Sequence, residues 1–113
     1  MKRVIRTTPY TVNLDAIVDE VAQDNPEAAL NLWFHIDDQV GNLADPNFPR
    51  RRGRVKGTSE LVAHPNYIVI LEEDAGTVTV LNVVHSRRQW PSVWWKLRRS
   101  EVPPSLASLA AGP

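Results

Sequence analysis

Between positions 50 and 57 the chain reads Arg50-Arg51-Arg52-Gly53-Arg54-Val55-Lys56-Gly57, five cations in seven residues, with glycines that let the backbone approach another surface. Guanidinium groups donate paired hydrogen bonds to phosphates and carboxylates, and a cation cluster gains further by releasing counterions from a polyanion. A solvated loop would account for this run by itself. A second cluster, Arg87-Arg88, follows the last apolar run. Two basic clusters from distant parts of a chain, gathered beside one β-segment, point to a macromolecule more specifically than either alone.

His85 stands two positions before Arg87. Its imidazole, with an ordinary pKa of about 6.5, can move a proton near neutrality. A histidine ending a strand more often packs or makes one hydrogen bond. His64, before Pro65, reads as a turn residue, and His35 as a helical neighbour of Asp38. The three histidines lack metal-ligand spacing, Ser86 lacks the glycine flanks of a nucleophile elbow, and the chain has no cysteine. Neither a metal nor a cofactor is expected. Trp90, Trp94 and Trp95 fall within six residues, beside Pro91 and Lys96. Such rings stack on bases, anchor a protein partner, or fold back to cover a sheet. Sequence leaves these readings open.

The elements that position these groups follow from apolar spacing. Val4 and Ile5 form a brief strand, ended by a turn at Thr7-Thr8-Pro9. From Asn13, the residues Leu14, Ile17, Val18, Val21 and Ala22 make the stripe of a first helix, with Asp15, Asp19, Glu20 and Asp24 on its outer arc. Asn25-Pro26-Glu27 caps and restarts the chain as a second helix, whose buried stripe is Ala29, Trp33, Ile36, Val40 and Leu43. Residues 45–57 carry no apolar period and are expected to be a loop. Three runs, residues 60–62, 67–71 and 78–84, are separated by His64-Pro65-Asn66 and Asp74-Ala75-Gly76, the pattern of an antiparallel meander. The middle run is apolar on both alternating faces and suits a central strand.

The expected fold is α+β, in the order β-α-α-β-β-β. A helical hairpin packs on a small, mainly antiparallel four-stranded sheet. Residues 1–91 would form the domain and residues 92–113 a C-terminal tail.

A chain of 113 residues and 12.7 kDa has room for one small domain, which excludes a multidomain enzyme. With 42% hydrophobic and 23% charged residues it falls among soluble globular proteins. The absence of cysteine suits a reducing compartment. The charged start Met1-Lys2-Arg3 precedes no apolar stretch, so a cytoplasmic location without membrane association is expected. The net charge is zero but segregated: residues 1–49 carry three basic and eight acidic side chains, and residues 50–113 ten basic and five acidic. Halves of opposite sign either present a basic face to a partner or neutralise one another across the fold.

Several segments together resemble the RelE/ParE superfamily of type II toxins, most closely its ParE, or plasmid-stabilisation, branch. They are Leu14-Asp15-Ala16-Ile17, Asp24-Asn25-Pro26-Glu27-Ala28-Ala29, Gly53-Arg54-Val55-Lys56-Gly57-Thr58-Ser59-Glu60-Leu61-Val62, Tyr67-Ile68-Val69 and Val83-Val84-His85-Ser86-Arg87-Arg88-Gln89-Trp90-Pro91. The resemblance spans about residues 3–91. It implies a small cytoplasmic toxin held in a hetero-oligomer by a cognate antitoxin. ParE-type members poison DNA gyrase, whereas RelE-type members cut messenger RNA on the ribosome. In the ribonuclease branch an arginine usually follows the aromatic residue of the middle strand, and here that position is Ile68. The ParE branch often has an arginine where Ser59 stands and a Tyr-Arg pair where Leu71-Glu72 stands. The likeness to the ParE branch nonetheless implies a gyrase inhibitor acting by binding, and with the converging cations it makes Arg54, Lys56, Arg87, Arg88 and Trp90 the expected target-facing set. The alternatives are a ribonuclease using Arg87 and His85, and a non-toxic member that only binds its antitoxin.

Overall fold

The computed structural model describes residues 1–86. β1 (Arg3–Arg6) leads into α1 (Thr8–Asp24) and α2 (Pro26–Asn42), followed by β2 (Arg51–Arg52), β3 (Ser59–His64), β4 (Tyr67–Glu73) and β5 (Thr77–His85). α1 starts five residues earlier than the apolar stripe suggests, and Thr7-Thr8-Pro9 opens the helix instead of ending a turn. Proline is tolerated in a first helical turn because the N–H it lacks has no intrahelical acceptor there. The Thr7 hydroxyl donates to the Val80 carbonyl at 2.6 Å, fastening the strand-to-helix junction to β5.

This earlier start places Tyr10 in the core at 1% exposure, with its hydroxyl donating to Asp37 Oδ1 of α2 at 2.8 Å. Burial first, and then the hydrogen bond to Asp37, push the phenol far above its ordinary pKa. The hairpin turns on one extended residue, Asn25. Its N–H closes α1 on Val21 O at 2.9 Å, and its Oδ1 accepts the Ala28 N–H at 3.1 Å to open α2.

The sheet has five strands in the order β1-β5-β4-β3-β2, with β1 parallel to β5 and every other pair antiparallel. The strand beyond the expected four is β2. It lies inside the stretch read as a loop and is too short to show a period of two. Asp74 shapes the β4–β5 turn: its Oδ1 accepts the N–H groups of Gly76 and Thr77 at 2.9 and 2.8 Å, which lowers its pKa.

The helices cover one sheet face. Ile36, Val40 and Leu43 of α2 meet Leu14 of α1 and Leu61, Val69, Leu71, Val78, Val80 and Val83 of the sheet, with Trp33 packed at the margin. Each fully buried aliphatic side chain contributes ~1.5–3 kcal/mol. As the apolar pattern of β4 requires, Val69 and Leu71 face the helices while Ile70 belongs to a second cluster. The ladder slips there. Ile70 pairs with Asn82 and Leu71 with Val80, so Leu81 is the extra residue of a bulge and joins Ile70 on the open face. Asn82, 6% exposed, then accepts from Asn13 Nδ2 of α1 at 2.6 Å.

Candidate macromolecule-docking surface

The basic segment between β2 and β3 is folded down on the open sheet face. Glu60 anchors it: this carboxylate is 1% exposed, and its Oε1 accepts Arg51 Nε and Nη2 at 3.1 and 3.0 Å. Its Oε2 accepts the Arg54 N–H at 3.1 Å. Val55 packs against Ile70 and Leu81 as an apolar second anchor. Within the loop, Gly53 N–H donates to Thr58 O at 2.9 Å and the Thr58 hydroxyl to Val55 O at 2.6 Å. A Cβ on Gly53 would fall 2.0 Å from Thr58 Oγ1, and Gly57 has φ 88, so both positions require glycine. With Val55 turned inward, the side chains of Arg52, Arg54 and Lys56 stand in solvent.

Arg50 differs from the rest of the run. Its side chain is 10% exposed, and Nη1 donates to Glu73 Oε1 at 2.8 Å. Nη2 donates to Asp45 O at 2.5 Å and Leu43 O at 3.3 Å, and Nε to Phe48 O at 3.0 Å. Lys2 Nζ shares the same Glu73 oxygen at 2.8 Å. Arg50 therefore ties the chain after α2 to β4 and is taken up by the fold. Composition cannot distinguish it from its neighbours, because the carbonyls it satisfies come from residues without a motif.

Of the residues expected to face a target, Arg54 and Lys56 are exposed together on this loop. Arg87, Arg88 and Trp90 lie outside the described residues, as do Trp94 and Trp95. Register gives the two attachment points: Ser59 pairs with Leu71, and His85 with Tyr67. The base of the loop and the end of β5 therefore stand about 13 Å apart along β4, from a rise of ~3.3 Å per residue.

His85 belongs to a row of rings that sequence did not reveal. Its ring centroid lies 5.3 Å from that of Tyr67, Tyr67 lies 5.5 Å from His64, and His64 lies 6.1 Å from His35 on α2. The available signal was that His64, Tyr67 and His85 occupy strand ends that meet in the meander. His64 does serve the turn, its Nδ1 accepting the Asn66 N–H at 3.0 Å. His35 engages Gln39, whose Nε2 lies 3.0 Å from His35 Nε2, where spacing pointed to Asp38. The same Gln39 amide reaches Ala63 O at 2.5 Å and so closes a carbonyl of β3. Ser86 Oγ donates to Pro65 O at 3.0 Å and holds the end of β5 to the β3–β4 turn. Among the described residues no three His, Cys, Asp or Glu side chains are grouped to hold a metal ion, and no helix is long and apolar enough to cross a membrane.

A two-helix hairpin thus covers one face of a mixed sheet, and the cationic loop lies on the other. Comparison with known proteins agrees. The family model described as ParE toxin of type II toxin-antitoxin system, parDE, matches residues 4–90. The Sinorhizobium fredii protein named "Putative toxin Y4kP" is 34% identical over 92 residues, 81% of this chain and 96% of its own. A solved chain of the chromosomal ParDE TA system from P. aeruginosa superposes with a TM-score of 0.65 at 25% identity, covering 75% of this chain and 96% of that one. The chain belongs to the ParE toxin family of type II toxin–antitoxin systems.

Proposed function

We propose that this protein arrests growth by binding and inhibiting DNA gyrase, and that a cognate antitoxin holds it inactive in the cytoplasm. Membership of the ParE family across residues 4–90 carries the reading. The exposed Arg54 and Lys56 on the anchored loop supply its chemistry, with Arg87, Arg88 and Trp90 as the further target-facing set. The loop needs no catalytic group to act in this way: charge steers the encounter with a large partner, and a loop already ordered loses little entropy on docking.

The antitoxin is expected to be a chain with a flexible segment that folds on binding. The helical hairpin offers it exposed apolar anchors, Val12, Leu30 and Phe34, beside the acidic outer arc of α1.

Expression without antitoxin tests the proposal. Growth arrest with a DNA-damage response and relaxed plasmid is the expected outcome. Cleavage of translated messages with gyrase activity intact would overturn it in favour of a ribonuclease using Arg87 and His85. Harmless overexpression would leave a member that only binds its antitoxin.

A further inference from the structure

We propose that Arg52, Arg54 and Lys56 form a docking site for the phosphate backbone of duplex DNA, one that reads charge and not sequence. Residues 1–86 hold twelve acidic and eight basic side chains, yet five of those eight fall between positions 50 and 56. The fold sorts the five. Arg50 is held by Glu73 and Arg51 by Glu60, in ion pairs of 2.8 and 3.0 Å. Arg52, Arg54 and Lys56 are exposed together. The acidic side chains of this corner are less accessible than these cations: Glu60 is 1% exposed, and Glu72 and Glu73 on β4 are half-buried. A positive surface results on a stretch of chain whose net charge is negative.

The make-up of that surface selects the partner. Val55, the one apolar side chain between Arg50 and Gly57, packs inward on Ile70 and Leu81, so every exposed side chain of residues 51–57 is cationic. Protein–protein contacts centre on apolar and aromatic anchors, with charge depleted at their core, whereas protein–DNA interfaces are polar and strongly positive. The exposed apolar side chains Val12, Leu30 and Phe34 lie on the helical hairpin, across the sheet from the loop.

The loop is also ordered before contact. Gly53 N–H donates to Thr58 O, and Glu60 Oε2 accepts the Arg54 N–H, so the three cations are presented with little backbone entropy left to lose on docking. Each phosphate they neutralise releases condensed counterions, which makes affinity depend on salt. As part of gyrase inhibition the site rests on the proposed function, since gyrase works on duplex DNA, but the binary contact with DNA is measured without the enzyme.

Fluorescence anisotropy of a labelled duplex oligonucleotide, titrated with the full chain over a range of salt, tests the site. The wild type is compared with the triple variant Arg52→Gln, Arg54→Gln, Lys56→Gln and with Arg3→Gln, each shown by melting to be folded. Arg3 is exposed on β1, the edge of the sheet opposite β2. That is ~19 Å away across the strands, beyond the screening length of ~10 Å at 0.1 M salt, so this variant removes a charge without touching the loop. Three phosphate contacts predict that, between roughly 50 and 200 mM salt, the wild type loses about 40-fold more affinity than the triple variant, a difference of about 2.7 in the slope of log K against log salt. Each single loop substitution should account for about 0.9 of that slope on any duplex sequence, and Arg3→Gln should match the wild type. Absence of binding by the wild type, equal slopes in the wild type and the triple variant, an equal loss in Arg3→Gln, or tighter binding of single-stranded RNA than of duplex would each overturn the proposal. Gyrase inhibition by a wild type that binds no duplex would also overturn it, leaving the gyrase reading in place and assigning the loop to an acidic protein surface. Duplex binding with the predicted slope but without gyrase inhibition would support the site and remove that reading instead.

Discussion

Glu60 and Arg51 face each other across the β2–β3 pair, one almost fully buried and the other with a 54% exposed side chain. The asymmetry decides the energetics. If Glu60 is removed, Arg51 regains water at little cost, but the Arg54 N–H loses its acceptor and the loop its charged anchor.

Glu60→Ala should therefore destabilise the protein by about 1–3 kcal/mol, the cost of one lost charge-assisted set of hydrogen bonds at a buried site. Glu60→Gln keeps an oxygen acceptor and should cost roughly half as much. Urea denaturation checks both values. A loss below the measurement error in Glu60→Ala would mean that Val55 alone secures the loop.

Within a single basic run the structure separates a buried, paired arginine from exposed cations. Arg50→Ala should lower stability by about 2–4 kcal/mol, because it removes a buried partner from Glu73 and from three carbonyls. Arg54→Ala and Lys56→Ala, at exposed positions, should stay within about 0.5 kcal/mol of wild type. Thermal melting of the three variants distinguishes them.

Tyr10 ties stability to alkaline pH. Its folded pKa lies above the ordinary 10.0, so the phenol contributes fully below pH 10 and that contribution falls as the pH rises beyond it. Tyr10→Phe should be less stable at neutral pH by about 1 kcal/mol, the usual worth of one hydrogen bond. It should also show a shallower loss of stability above pH 10 than the wild type. Denaturation series at pH 7 and at alkaline pH measure both effects.

Asp74 acts at the other end of the scale. Its pKa is lowered from the ordinary 3.8 by the Gly76 and Thr77 N–H groups, so its contribution is present above that value and is lost as the pH falls through the lowered one. Asp74→Ala should melt at a lower temperature at pH 7, and its difference from the wild type should shrink on acidification. Melting curves between neutral and strongly acidic pH check this.

The helices and three long strands were legible in the sequence because each carries an apolar period: Leu14 to Ala22, Ala29 to Leu43, and the runs around Val69 and Val80. Asn25-Pro26 marked the hairpin break for a local reason, the cap. What escaped depended on tertiary pairing. β2 exists because Arg51 and Arg52 meet Glu60 and Ser59, the Leu81 bulge because the β4 and β5 ladders slip, and the early start of α1 because Tyr10 finds Asp37. The basic loop was legible as composition, but the distinct role of Arg50 was not. The distinction rests on Glu73 and on carbonyls whose proximity only the fold creates.

Inhibition of gyrase through the exposed Arg54 and Lys56 of the anchored loop is the proposed function. The direct measurement is DNA supercoiling by purified gyrase with the full chain and with Arg54→Glu combined with Lys56→Glu, each shown by melting to be folded. Inhibition by the wild type is expected, with a loss of at least about tenfold in potency for the charge-reversed variant, greater at low than at high salt. Undiminished supercoiling at large excess of the folded wild-type chain, or equal inhibition by both proteins, would contradict it.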